Sequence, residues 1–222
     1  MAKPVKDWLI FIGGFMQDRA LAETGMCGLA HRARDRYPQV LVDYEPWKCD
    51  WKSTAEWIFR WSRYDVLNCG DLPPRIMVVA YSWGAGWGLV QLAEHLQDRG
   101  LMIDVAVASD AVRHIGWNWS HAVGLSQLLA YFPYWSIEKP GNIDKLHWFR
   151  QSRKRNFLAD YKRGTTWLYG HPWIEFKDGK PRTCPNGVGL PMFNHSNMDD
   201  APLFHSQVFN LADHLFQERV AT

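Results

Sequence analysis

Cysteine is scarce in this sequence and is never spaced as a metal ligand. Its four cysteines include no Cys-x-x-Cys pair, which argues against a zinc knuckle and against a disulfide framework. Long apolar runs are absent too. The stretch from Trp8 to Phe15 is too short for a membrane span, and no small-residue cleavage site follows it. We therefore expect a cytoplasmic protein with reduced thiols, made without a signal peptide and without stable membrane insertion.

An excess of charge of one sign is also lacking. The 25 basic and 23 acidic residues give a formal net charge of +2, too balanced to favour a nucleic-acid partner or an anionic membrane. Hydrophobic residues make up 47% of the chain, and its 222 residues fit a single domain over 1–222. Tryptophan is abundant instead. One modest core does not bury 13 such rings, so some should line a cleft or a contact surface.

Short apolar runs alternate with helical patterns along the chain, which predicts a parallel sheet with crossover helices. The runs are Trp8–Ile12, Gln39–Tyr44, Arg75–Ala80, Asp104–Ala108 and Lys145–Phe149. The third run is continuously apolar, as is typical of a central strand buried on both faces. Ser53 and Glu56 indicate a capping box at a helix start. Residues 164–194, rich in glycine and proline, are expected to form a long loop.

A strand–turn–helix segment centred on Ser82 carries the strongest functional signal. The small residues Ala80 and Gly84 lie two positions before and two after the serine, where larger side chains collide in a tight turn. Such a turn holds the hydroxyl above the sheet and directs the following main-chain N–H groups at developing negative charge. A glycine-rich nucleotide loop is the rival interpretation. Leu89 breaks that pattern, and no lysine follows for a phosphate loop.

This segment resembles the Gly-x-Ser-x-Gly elbow of the α/β-hydrolase superfamily, with Ala80 in place of the first glycine. The resemblance extends over most of the chain. It implies an α/β-hydrolase fold, an open and mostly parallel sheet of about five strands with helices on both faces. It also implies that the main-chain N–H groups of Phe15 and Trp83 form an oxyanion hole. The pair Gly13-Gly14 before Phe15 is otherwise a plain turn after a strand.

The resemblance further implies a Ser-Asp-His triad in that chain order. His195 lies just before the last helix, expected at about 201–218, where the family places its catalytic histidine. His171, between a glycine and a proline, is the alternative. Asp199 or Asp200 would then cap the last helix and take no part in the chemistry.

The acid of the triad has more than one candidate. Asp110 follows the fourth run and lies at the carboxyl end of a predicted strand, where functional groups gather in open α/β sheets. We favour Asp110 for this reason. Many members of the family place the acid one strand later, near Gln151 to Asp160, and others, such as pancreatic-lipase-like enzymes, place it on the earlier strand. A strand-end aspartate that only caps the following turn is the non-catalytic alternative.

These residues together predict a serine esterase or lipase-like hydrolase. His195 would accept the proton of Ser82, Ser82 would attack an ester carbonyl, and Asp110 would orient His195. No metal or organic cofactor is implied, and the expected partner is a small or lipid-like ester. A thioesterase, acyltransferase or peptidase with the same triad remains an alternative, as does a non-catalytic scaffold. No feature of the sequence indicates an oligomeric state.

An aromatic insertion at about 113–141 follows Asp110 directly and so leaves the sheet at its catalytic edge. We expect it to form a lid over the site, with Trp117, Trp119 and Trp135 contacting the substrate. The alternative is that this segment packs against the sheet or against a second subunit.

Substitution of Trp117, Trp119 and Trp135 by alanine, one at a time, should test the lid. We expect each change to alter the preference between short and long acyl esters by about tenfold, because hydrophobic contacts with the acyl chain are lost. Hydrolysis rates over a series of acyl lengths, measured beside melting temperatures, check this. If all three variants keep the chain-length preference, or mainly unfold, the segment is core or interface and not a lid.

Overall fold

A six-stranded parallel sheet lies at the centre of the fold. The computed structural model describes residues 7–14, 25–69, 73–113, 136–151, 171–193 and 195–217. The strands are β1 (Trp8–Ile12), β2 (Leu41–Glu45), β3 (Ile76–Tyr81), β4 (Ile103–Ser109), β5 (Ile137–Glu138), β6 (Ile143–Gln151), β7 (Trp173–Lys177), β8 (Lys180–Thr183) and β9 (Gly187–Leu190). The α-helices are α1 (Gly25–Arg36), α2 (Trp51–Cys69), α3 (Leu89–Gln97) and α4 (Pro202–Gln217). A π-helical turn spans Gly84–Gly88 and a 3-10 helix spans His195–Asp200.

Side chains of the central strands alternate between two apolar clusters, one on each face of the sheet. Along β1, Trp8 and Ile10 belong to the cluster that includes α2 and α3, whereas Leu9 and Phe11 belong to the cluster that includes α1 and α4. Burial on both faces explains why these strands are continuously apolar. The prediction of an α/β fold with a parallel sheet and helices on both faces is confirmed.

The strand order reverses direction between β1 and β3. It runs β2-β1-β3-β4-β6-β9, so the chain moves from β1 to one side of the sheet and then returns to β3 on the other side. In open α/β sheets, ligands bind outside the carboxyl ends of the strands where the order reverses in this way. The loops after β1 and β3 flank this point.

The stretch 164–194 is not one long loop, as the sequence analysis expected, because its described part contains β7, β8 and β9. β9 pairs with β6 and adds a sixth strand to the expected five. Its residue Gly187 has no room for a side chain, since a Cβ there would lie 2.4 Å from the Trp148 ring. β7 and β8 form a hairpin whose turn residues, Asp178 and Gly179, both have positive φ, as a two-residue Asp-Gly turn requires.

The described end of the aromatic insertion, residues 136–141, packs against the core of the protein. β5 lies in the range 136–141 and pairs in parallel with β7, in a second sheet of order β5-β7-β8. The side chain of Ile137 is fully buried in the same cluster as α2 and α3. The three tryptophans assigned to the lid, Trp117, Trp119 and Trp135, lie outside the described residues, so the lid stays a prediction.

Helix α2 begins differently from the prediction. Asp50 precedes it and caps it, because its carboxylate accepts the N–H of Ser53 at 3.2 Å and the Ser53 hydroxyl at 2.7 Å. The predicted capping box is therefore wrong, and Glu56 instead binds Arg60 and Arg99 at 2.7 and 3.1 Å. In the part of the chain that the structure describes, none of the helices is both long and apolar enough to cross a membrane.

We predict that Gly86→Ala destabilises the fold by about 1–3 kcal/mol, the usual penalty for overpacking. A Cβ at this position would lie 2.0 Å from the main-chain oxygen of Val112, which is too close for any side chain. Gly141→Ala is the matched control, because nothing lies within 4 Å of a Cβ there. Denaturant unfolding measures both variants. Equal stability of the two would contradict the close approach at Gly86.

Candidate active site

Ser82 occupies a left-handed turn between β3 and the π-helical turn. Its φ is +54°, a conformation that residues other than glycine seldom adopt. Three main-chain hydrogen bonds hold it there. The N–H of Ser82 donates to the carbonyl of Ser109 at 2.9 Å, and the Ser82 carbonyl accepts the N–H groups of Gly86 and Val112, both at 2.9 Å. The strained serine is thus fixed by its neighbours and not by its own preference.

Glycines allow the loops at this edge to approach each other closely. A Cβ on Gly84 would lie 2.4 Å from the carbonyl oxygen of Gly13, at the end of β1. A Cβ on Gly14 would lie 2.9 Å from the Cβ of Ser82 and 2.8 Å from the Tyr81 ring. Gly14 therefore packs directly against the serine, and a side chain there would displace it. A Cβ on Gly13 would instead lie 2.3 Å from the Tyr44 hydroxyl.

A chain of side-chain hydrogen bonds joins three of the predicted site residues. Ser82 Oγ lies 2.7 Å from His195 Nε2, and His195 Nδ1 lies 2.7 Å from Asp110 Oδ2. All three residues are buried. An ionised carboxylate only accepts hydrogen bonds, so Nδ1 carries the proton in this pair and Nε2 is left to accept the proton of the serine hydroxyl. The arrangement can transfer a proton from serine to imidazole.

Asp110 meets the imidazole from the end of β4, as its place in the sequence suggested. Its backbone is left-handed, with φ +43°, and its N–H donates to the carbonyl of Phe149 at 2.8 Å. The second carboxylate oxygen accepts the N–H of Gln151 at 3.1 Å. The alternative histidine, His171, lies beside this strand end, where its main-chain N–H donates to Ala111 at 2.6 Å. The imidazole on the serine hydroxyl is that of His195.

Four contacts from separate elements anchor the 3-10 helix that carries His195. The Tyr81 hydroxyl donates to the main-chain oxygen of His195. At the other end, His205 contacts the main-chain oxygen of Asp199 at 2.5 Å. The Ser109 hydroxyl donates to the Met198 carbonyl at 3.3 Å. The N–H of Gly25 donates to the Asp200 carboxylate at 3.0 Å. The carboxylate of Asp200, one of the two residues expected to cap the last helix, binds the start of α1, and a cap by Asp199 stays a prediction.

The structure describes one of the two residues assigned to the oxyanion hole, and the role of both stays a prediction. Trp83 has helical φ and ψ, −69° and −29°, and precedes the π-helical turn at the helix start, where main-chain N–H groups point out of the N-terminus. Its ring contacts the Trp47 ring edge-to-face, with the centroids 5.0 Å apart. Phe15 lies outside the described residues, so its role stays a prediction.

Sequence reasoning missed two contributors to the site. Gln151 binds the carboxylate of Asp110 through its main chain, which no side-chain pattern reveals. Tyr81 precedes the serine directly, but its contact is with His195, 114 positions later, and depends on the tertiary fold. Among the described residues, no group of three or more His, Cys, Asp or Glu side chains is arranged to hold a metal ion.

The contact between His205 and the 3-10 helix that carries His195 depends on the protonation state of the His205 imidazole. Its Nε2 contacts the Asp199 oxygen at 2.5 Å, and its Nδ1 lies 3.2 Å from an Arg32 nitrogen. Since the guanidinium can only donate, this ring is neutral, with its proton on Nε2. Burial lowers the pKa of His205 below its ordinary value of 6.5, and the Arg32 charge lowers it further, against the opposing effect of the bond to Asp199.

We therefore expect the His205 contacts to lose stability in acid. The neutral form contributes fully above about pH 6.5, and this contribution is lost as the pH falls through the lowered pKa. The melting temperature of the wild type should fall more steeply between pH 7 and 5 than that of His205→Gln. His214→Gln, at an exposed histidine, serves as the control and should follow the wild type. Parallel curves for the wild type and His205→Gln would show that His205 is not the group that titrates.

No family model matches this chain, and neither does any curated protein or solved structure.

Proposed function

We propose that this chain is a serine hydrolase of the α/β-hydrolase superfamily that cleaves a carboxylic ester through an acyl-enzyme. The hydrogen-bond chain from Ser82 through His195 to Asp110, with both distances at 2.7 Å, carries the proposal. A serine hydroxyl is a weak nucleophile and needs an adjacent base, itself oriented by a third group. His195 and Asp110 stand in these two positions.

Acylation of Ser82 follows from the same contacts. Ser82 Oγ attacks the ester carbonyl carbon while its proton passes to His195 Nε2. The bond from that carbon to the alcohol oxygen then breaks, and Nε2 returns the proton to the departing alcohol. Asp110 stays ionised and stabilises the imidazolium that exists between these two transfers. The product of this half-reaction is an acyl ester on Ser82.

Deacylation reverses the roles with water in place of the alcohol. His195 Nε2 takes a proton from water, whose oxygen attacks the acyl carbon. The bond to Ser82 Oγ breaks, and the serine recovers its proton from the imidazolium. The carboxylic acid leaves, and the enzyme returns to its starting state.

Negative charge on the carbonyl oxygen needs donors held in place before the reaction. The main-chain N–H of Trp83, at the start of the helical segment after the nucleophile, is one proposed donor. The other is the N–H of Phe15, which follows the Gly13-Gly14 turn. Contact between Gly14 and Ser82 supports this second assignment, because it brings the end of β1 onto the nucleophile.

The order of Ser82, Asp110 and His195 along the chain, and their place at the edge of the sheet, also support the family assignment. A serine elbow at the carboxyl end of a central strand, followed by an acid and then by a histidine along the chain, is the arrangement of α/β-hydrolases. Ser82 also lies beside the point where the strand order reverses between β1 and β3.

An apolar acyl group suits this site best. Trp47 and Trp83 are both half-buried, and their contacting rings lie at the carboxyl edge that holds Ser82. Aromatic surface of this kind favours apolar ligands over charged ones. Trp117, Trp119 and Trp135 remain proposed additions to the same surface.

Labelling with a fluorophosphonate probe tests the proposal, because the probe reacts with activated serines. We expect one labelled serine, Ser82, identified by mass mapping. Ser82→Ala should abolish labelling and lower turnover of a simple ester on the order of 10⁴- to 10⁶-fold, as loss of a triad nucleophile does. Its melting temperature should stay near that of the wild type.

Ser62→Ala is the matched control. Ser62 is also buried, and its hydroxyl donates to Ile58 at 2.7 Å within helix α2, so this variant should be labelled like the wild type. Labelling at another serine, or near-normal turnover by Ser82→Ala, would refute the proposal. A panel of esters, thioesters and amides then separates an esterase from a thioesterase or peptidase.

A further inference from the structure

Tyr81 touches the proposed base in two ways. It is the last residue of β3, directly before Ser82, and only 5% of its surface is exposed. Its hydroxyl donates to the main-chain oxygen of His195. Its ring stacks on the His195 imidazole, with the centroids 5.4 Å apart and the planes 26° from parallel. One side chain therefore holds both the backbone and the ring of the histidine.

We propose that Tyr81 is a positioning residue for the reaction, which sets the imidazole of His195 in line between Ser82 and Asp110. This inference rests on the proposed function of those residues. It adds a fourth side chain, whose effect is exerted through its contacts with His195.

The imidazole needs this contact because its other bonds leave one motion open. Its two nitrogens bind Ser82 and Asp110 at opposite edges of the ring. Those bonds act in the plane of the ring, so they resist a tilt of the ring out of that plane only weakly. A flat aromatic ring against one face opposes the tilt, and offset stacking of this kind is favourable in itself.

The backbone of His195 needs a contact as well. His195 begins a 3-10 helix, and such helices have poor internal hydrogen-bond geometry and depend on their surroundings. The Tyr81 hydroxyl binds the carbonyl of that first residue. It stays protonated as a permanent donor, because burial, together with the nearby carboxylates of Asp199, Asp110 and Asp200, raises the pKa of Tyr81 far above its ordinary range.

The position of Tyr81 next to Ser82 couples the residue that supports the base to the nucleophile. Tyr81 and Ser82 are consecutive, so a shift of the strand end moves the nucleophile and the support of its base together. The distance between Ser82 Oγ and His195 Nε2 is thereby less sensitive to motion of the elbow. When the imidazole becomes charged during turnover, the face of the Tyr81 ring also attracts the cation.

The test compares Tyr81→Phe, which removes the hydroxyl only, with Tyr81→Leu, which removes the ring as well. Tyr37→Phe is the matched control, because Tyr37 is also buried and its hydroxyl also bonds to helix α4, to the Asp213 carboxylate at 2.8 Å, with the Phe209 carbonyl at 3.2 Å. Steady-state hydrolysis of p-nitrophenyl acetate gives kcat and KM. The fluorophosphonate endpoint counts active sites, so that incomplete folding is not mistaken for slow turnover.

We expect Tyr81→Phe to lower kcat per labelled site by about tenfold and Tyr81→Leu by about a hundredfold, with KM unchanged, because a displaced base slows the chemistry and not the binding. Tyr37→Phe should keep the wild-type kcat even where its melting temperature falls. The inference is overturned if either Tyr81 variant that labels retains wild-type kcat per site, or if KM alone changes. Absence of labelling in the wild type itself would instead refute the proposed function.

Discussion

Main-chain hydrogen bonds at Ser82 hold the carboxyl edge of the sheet together. The N–H of Ser82 donates to Ser109, and its carbonyl accepts the N–H groups of Gly86 and Val112. The elbow is thereby bonded to Ser109 and Val112, which lie on either side of Asp110 in the chain. Because a left-handed serine is unfavourable in isolation, these bonds are what make the conformation stable. The backbone thus sets the distance between nucleophile and acid before any side chain contributes.

Burial of the polar site residues requires that each has partners. The carboxylate of Asp110 receives donors on both oxygens, from His195 and from the main chain of Gln151. His195 in turn uses both ring nitrogens, and its carbonyl receives the Tyr81 hydroxyl. In a medium of low dielectric constant, a fully hydrogen-bonded network of this kind is rigid. Loss of one member leaves another buried polar group without a hydrogen-bond partner. Stability and orientation therefore depend on the same contacts.

Local signals explain what the sequence predicted and what it did not. Strands buried on both faces are continuously apolar, and the small residues around Ser82 mark a tight turn, so both could be found from neighbouring positions alone. β9 could not, because Gly187 weakens its apolar pattern and makes sense only once the Trp148 ring occupies the space of a side chain. The contact of Tyr81 with His195 joins residues 114 positions apart, and no local sequence pattern predicts it.

The hydrogen bond between Asp200 and the N–H of Gly25 has a consequence for how such a protein can diversify. Gly14 rests on Ser82, and Gly25 is tied to the turn that begins with His195, so both ends of the segment 15–24 are attached to the proposed catalytic groups. A substitution at Gly14 therefore acts on the nucleophile, and one at Gly25 acts on the turn that carries the base. These two positions limit how far this part of the chain can diversify without a loss of activity.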